Sequence, residues 1–196
     1  MGRPKGVTGA ERRSAILAAA EAEFGRSGLN ARLSEIGNEV GISRPSVLHH
    51  YGSKQILYEA VVNRLFADLI ADFSVVMQGP GNFSQRLVRL FEQYIVFVRE
   101  RPAFARIILR EIVDGNGPAH SMLRDQLVPL LDLVEGFLVR SGEGVVPSHL
   151  PVRAVILQLG ANELIRAAAG DLEQPIWRGA PGTLELLNHF FKLENS

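Results

Sequence analysis

The sequence predicts an all-α protein, and three observations carry that expectation. Apolar residues return every four positions through long stretches, as in Ile16, Ala20, Phe24 and again in Leu57, Val61, Leu65, Leu69. That spacing lines one side of a helix. Cap and stop residues punctuate these stretches: Thr8 with Glu11 three positions on, Gly28, Ser43, Gly52 followed by Ser53, and the QGPGN run that begins at Gln78. Such residues satisfy or end the orphan backbone groups of a helix. Finally, the run Gly41 to Lys54, GISRPSVLHHYGSK, encloses a helix of about two turns between two cap signals. A helix that short needs a helical neighbour to pack on.

Composition narrows the class. Of 196 residues 46% are apolar, enough for a substantial core. There is no cysteine, which excludes disulfides, thiolate metal sites and thiolate nucleophiles and fits a reducing compartment. The formal net charge is zero, with 8 Lys/Arg against 6 Asp/Glu in residues 1–60 and 13 against 15 in the remainder. Any nucleic-acid contact must therefore come from a few placed cations rather than bulk charge. No run approaches the ~18 apolar residues of a membrane span. No apolar segment follows the N-terminal cations, so the expectation is a cytoplasmic protein.

Taken in order, residues 1–8 form an arm. Its Arg3 and Lys5 suit phosphates or a minor groove, and equally suit a solvated tail. A first helix runs from the Thr8–Glu11 capping box to about Ser27, burying Ile16, Ala20 and Phe24. A second spans about Arg32 to Val40, with Leu33, Ile36 and Val40 inward and Leu29 and Ile42 completing the cluster. Ser43 caps the third, and Pro45 occupies its first turn, where a missing N–H is not needed. At about 100° per residue, Val47 and Tyr51 share one side. Pro45 and His49 share the opposite side, flanked by Ser46 and Leu48, with Arg44 at the N-terminal end. A cation, a hydroxyl, an imidazole and some apolar surface suit a major groove. They also suit an ordinary solvated face.

The run from Glu11 to Val62, with AAxxxF–xxxG in the first helix, the I-G-x-x-V-G-I-S turn and the HHYGSKxxL ending, resembles the N-terminal domain of the TetR family of transcriptional regulators. The resemblance implies a homodimeric DNA-binding protein of nine or more helices whose C-terminal domain binds a small molecule or dimerises. It carries DNA contact to Ser43, Arg44, Ser46, His49, Tyr51 and Lys54, with His50 toward the bundle. Three positions depart from the family pattern. Ala31 stands where a Thr usually caps the second helix, so Asn30 is the expected cap. Leu48 replaces a Tyr. Gly37 replaces an Ala, at a cost of up to about 1 kcal/mol in helix propensity.

Ser53 opens a fourth helix to about Met77, a rod joining a helix-turn-helix domain, residues 1–53, to a C-terminal helical domain, residues 54–196. Further helices follow over about Ser84–Arg101 and Pro102–Val113. Another reaches about Arg140, with Pro129 a kink or boundary. Two more span about Val152–Ala169 and Thr183–Leu193. The resemblance implies a dimer through the last two, and their apolar character is compatible with that or with a buried hairpin. An effector cavity is expected among helices four to eight. Its candidate lining is Phe91, Tyr94, Phe97, Phe104, Ile108 and Leu159, with Arg106, Arg110 and Asn162 as polar handles; the same aromatics equally suit plain core.

His49 and His50 are neighbours, and adjacent helical residues point about 100° apart, so they do not converge on one ion. No metal or cofactor is expected. No nucleophile elbow, phosphate loop or useful carboxylate pair is visible, and His120, His149 and His189 are scattered, so no enzyme is expected. The leading expectation is a dimeric repressor, bound to a near-palindromic double-stranded operator and released by a small apolar or amphipathic effector. The alternative is a ligandless architectural or adaptor protein on the same fold.

Overall fold

The structure is a computed structural model describing residues 8–115, 117 and 120–192. Arg3 and Lys5 lie outside the described residues, as does Leu193, the expected end of the last helix. Among the described residues there is no strand, and no helix is long and apolar enough to cross a membrane.

Helix α1 (Gly9–Ser27) begins at the expected capping box, with Thr8 and Glu11 exchanging hydrogen bonds, and buries Ile16, Ala20 and Phe24. A 3-10 turn over Gly28–Asn30 leads into α2 (Leu33–Glu39). Asn30 does not cap α2, contrary to expectation: it ends the 3-10 turn, and Arg32 occupies the N-cap position with no side-chain cap bond. Leu29 is exposed rather than clustered, because the turn swings it outward.

The turn into α3 (Arg44–Tyr51) explains Gly37. A Cβ on Gly37 would sit 2.5 Å from the Ile42 carbonyl oxygen, while the Ile42 amide donates to the Gly37 carbonyl at 2.9 Å. The chain folds back too tightly for alanine, and the lower helix propensity of glycine is offset by that closure. Ser43 caps α3 through the Ser46 amide, and Ser53 caps α4 (Lys54–Gln78) through the Ile56 amide.

The remaining helices are α5 (Phe83–Glu100), α6 (Pro102–Asp114), α7 (His120–Ser141), α8 (Val152–Ala169), a single turn α9 (Glu173–Ile176) and α10 (Thr183–Phe191). Asn82 with Gln85 forms a capping box that starts α5 one residue earlier than its apolar pattern indicates. α7 continues through Pro129. Ile112 of α6 is exposed.

The core is one contiguous cluster from Ile16 to Phe191. α1 packs on α4 and α6, so the N-terminal helices rest directly on the C-terminal ones. The crossing with α6 is close: a Cβ on Gly25 would lie 2.5 Å from the Ala103 Cβ. α8 packs on α5, α6, α7 and α10.

Candidate nucleic-acid interface and apolar cavity

α3 is held by one side and displays the other. Val47 is fully buried and Tyr51 nearly so, while Arg44, Pro45 and His49 are exposed and Ser46 and Leu48 are half-buried. The anchoring is specific. The Tyr51 hydroxyl donates to the Arg13 carbonyl at 2.9 Å, and the Arg13 guanidinium lies 4.5 Å from the Tyr51 ring centroid. The same guanidinium donates to the His50 carbonyl at 2.5 Å, tying the C-terminal end of α3 to α1. Burial pushes the Tyr51 hydroxyl above its ordinary pKa, so it stays a protonated donor.

Two of the side chains expected to contact DNA have partners inside the chain. Tyr51 commits its hydroxyl proton to Arg13, so its first role is to fix the angle of α3. Lys54 donates to the Leu29 carbonyl at 2.5 Å and to the Ala31 carbonyl at 3.3 Å, clasping the turn before α2. Its ammonium has one further proton to offer. Ser43 and Ser46 lie with their hydroxyls 3.0 Å apart at the exposed N-terminal end of α3. Arg44 and Lys54 border a cleft of about 480 Å³ between the starts of α2 and α4, with Leu48 in its wall. His49 projects into solvent, its ring edge-on to His50 with centroids 5.8 Å apart. Among the described residues no group of His, Cys, Asp or Glu is arranged to hold a metal ion.

The second feature is an apolar cavity of about 150 Å³ bounded by α4 to α8. Phe91, Tyr94 and Ile108 line it, as expected. Phe97 and Phe104 do not. They stack edge-on in the core, centroids 5.3 Å apart, with Phe104 also against Phe66. Leu159 is buried off the lining. The polar handles are also elsewhere. Arg110 donates to the Phe24 carbonyl at 3.0 Å, and Arg106 is half-buried outside the cavity. Asn162 faces the other side of α8, donating to the Thr183 hydroxyl at 3.0 Å and accepting from the Trp177 indole at 3.1 Å.

Lining residues not expected from the sequence come mainly from α7 and α8: Leu127, Leu131, Val134, Gly160 and Ala161. They are aliphatic or small and carry no chemical flag. The Tyr94 hydroxyl donates to the Gly160 carbonyl at 2.8 Å, and burial raises its pKa.

α6 lines the cavity and also holds α1 and α4, two of the helices on which α3 rests. Ile108 and Ile112 line the cavity. Between them, Arg110 reaches the end of α1, and the buried Glu111 accepts from the Tyr58 hydroxyl of α4 at 2.8 Å. Burial and that bond to Glu111 push the Tyr58 hydroxyl well above its ordinary pKa, so it remains a donor at any physiological pH.

Residues 16–61 match the family model for bacterial regulatory proteins of the tetR family. The nucleoid occlusion factor SlmA of Shewanella woodyi is 22% identical over 149 residues, covering 72% of this chain and 70% of that protein. The HTH-type transcriptional dual regulator CecR of Shigella flexneri is 33% identical over 104 residues, 53% of this chain and 42% of that protein. Among solved structures, the transcriptional regulator FadR of Bacillus subtilis, in complex with stearoyl-CoA, superposes with a TM-score of 0.69 at 13% identity. That match covers 92% of this chain and 96% of FadR, and it establishes likeness of fold.

Proposed function

The chain belongs to the TetR family of DNA-binding transcriptional regulators, and on that premise we propose that it acts as a homodimeric repressor released from its operator by a small apolar effector. The observation that carries the reading is α3 itself. Its buried side is pinned by Val47, Tyr51 and Arg13, while Ser43, Arg44, Ser46 and His49 face outward as one set. In this reading Arg44 and His49 reach base edges or phosphates. Ser43, Ser46 and the remaining proton of Lys54 hold phosphates near helix N-termini. Arg3 and Lys5 extend the contact along the backbone or minor groove.

Dimerisation uses α8 and α10. The outer face of α8 offers Leu157, Ala161 and Ile165, all exposed, and α10 packs beside it. A stripe of small and aliphatic residues suits a two-fold contact, in which the same patch meets itself. Two reading helices then address successive major grooves about 34–36 Å apart. The functional division falls at residue 53, where reading ends and the connecting rod α4 begins.

α6 supplies the coupling. A guest against Ile108 and Ile112 displaces the helix that also holds α1 through Arg110 and α4 through Glu111. The guest shifts the equilibrium by its differential affinity for the two arrangements.

The test is fluorescence anisotropy with DNA from upstream of the protein's own gene, titrated across salt. Saturable binding of two subunits per near-palindromic site, tighter than to scrambled DNA and steeply salt-dependent, is the expected result. Equal binding to scrambled DNA would sink it. The similarity to a nucleoid occlusion factor favours a second reading, a ligandless architectural protein on the same fold. Specific binding that no effector relieves would select that reading.

A further inference from the structure

Small apolar and amphipathic molecules form a broad class, and the cavity narrows it. Resting on the effector-released repressor of the proposed function, we infer that the site takes an uncharged, hydrocarbon-like molecule of about single-ring size, and that it rejects a carboxylate or an acyl-thioester headgroup.

The lining is Leu, Ile, Val, Phe, Gly and Ala, with Tyr94 as the single side chain bearing a polar atom among the described residues. That hydroxyl has already given its proton to the Gly160 carbonyl, and burial holds it protonated. No lining side chain has a donor left to meet a carboxylate, and an unpaired charge in such a site is costly. Among the described residues no cation stands in the wall. Nearby, Arg110 is committed to the Phe24 carbonyl. Arg153, near the rim residue Leu157, holds Asp132 at 2.7 Å and Glu135 at 2.6 Å.

Size points the same way. A dry apolar cavity of about 150 Å³ accepts a benzene-sized guest, and this one measures about 150 Å³. A long acyl chain is several times larger. Ile112, Leu157 and Ala161 form the exposed rim in the single chain, the last two shared with the α8 face proposed for dimerisation, while Phe73, Leu90 and Val134 close the floor. Entry is therefore apolar from rim to floor, and water gains nothing by staying.

The experiment uses the full chain and two probes, fluorobenzene followed by ¹⁹F NMR and octanoate followed by calorimetry. Each is run on the wild type and on Leu164→Phe, which adds bulk at the half-buried rim. Val75→Ala is the control for folding, since Val75 is exposed on α4 and lies outside the cavity lining. Saturable binding of one fluorobenzene per chain is expected, retained in Val75→Ala and weakened about tenfold or more in Leu164→Phe, whose added bulk occupies the cavity. Octanoate is expected not to bind.

Octanoate binding that Leu164→Phe abolishes, with no fluorobenzene binding, overturns the proposal and leaves an effector-released repressor standing. The absence of binding by either probe also overturns it. Fluorobenzene binding that never changes operator affinity leaves the site assignment standing and defeats the effector reading instead.

Discussion

His49 and Tyr51 stand two residues apart on α3 and serve opposite ends. His49 faces solvent, and Tyr51 is buried with its hydroxyl on the Arg13 carbonyl. Replacing His49 with Ala is expected to weaken specific operator binding about tenfold, the scale of one lost base contact, with the dimer unchanged by sedimentation. Tyr51→Phe removes an internal bond, so denaturant unfolding is expected to show a loss of about 1 kcal/mol. Its operator affinity should stay near the wild-type value, since the hydroxyl proton is spent on the Arg13 carbonyl rather than on a phosphate. The 100° spacing put His49 outward with Ser46 on its flank, while Ser43 and Arg44 were legible from the cap signal and the N-terminal end of the helix. The inward duties of Tyr51 and Lys54 were not, because their partners lie at Arg13, Leu29 and Ala31, and periodicity says nothing about which backbone carbonyls a folded turn presents. Arg110 and Asn162 were misplaced for a related reason. A polar residue on a helix near a cavity can point along several directions, and both had carbonyl or hydroxyl partners elsewhere.

Helices with strong end signals matched their expected bounds closely. α1, α3 and α4 start at Thr8, Ser43 and Ser53, each accepting a backbone amide. At α1 the cap also titrates. The Thr8 amide and hydroxyl hold the Glu11 carboxyl below its ordinary value of 4.5. A depressed folded pKa means the stabilisation is present above 4.5 and is lost as pH falls through the folded value. Unfolding curves of wild type and Glu11→Gln are therefore expected to differ at neutral pH and to converge in acid. A difference that persists in acid would show that charge is not the cause. α2 was less legible. Arg32 begins it without a cap bond, and the glycine within it looked like a weakness. Its cause is a contact five residues along the chain, the Ile42 carbonyl. Gly37→Ala should accordingly destabilise the fold by about 1–3 kcal/mol through overpacking, although alanine is the better helix former. The single turn α9 was not foreseen because four residues carry no periodicity.

Across the molecule, neighbouring residues of α6 reach the cavity, α1 and α4 in turn. Its apolar pattern was visible in the sequence, but the distribution of duties around it depended on tertiary packing. Arg110→Ala removes the hydrogen bond to the end of α1 and leaves both the Gly25–Ala103 crossing and the Glu111–Tyr58 bond in place. The variant is expected to bind operator and effector like the wild type while the effector's influence on operator affinity shrinks, measured by anisotropy with and without effector. An unchanged effector response would place the coupling in the Gly25–Ala103 crossing or in Glu111 and Tyr58. A different end of the molecule carries its own readout. Trp177 is the single tryptophan of the chain, and its indole is tethered to Asn162 of α8 with the Arg166 guanidinium 5.5 Å from its ring centroid. Intrinsic emission excited at the indole band is thus an unlabelled optical gauge of the α8–α10 corner, with no background from the reading helix. Quenching or a spectral shift on dilution reports that corner alone, and a shift on adding operator measures how far a contact made at α3 is felt at the opposite end.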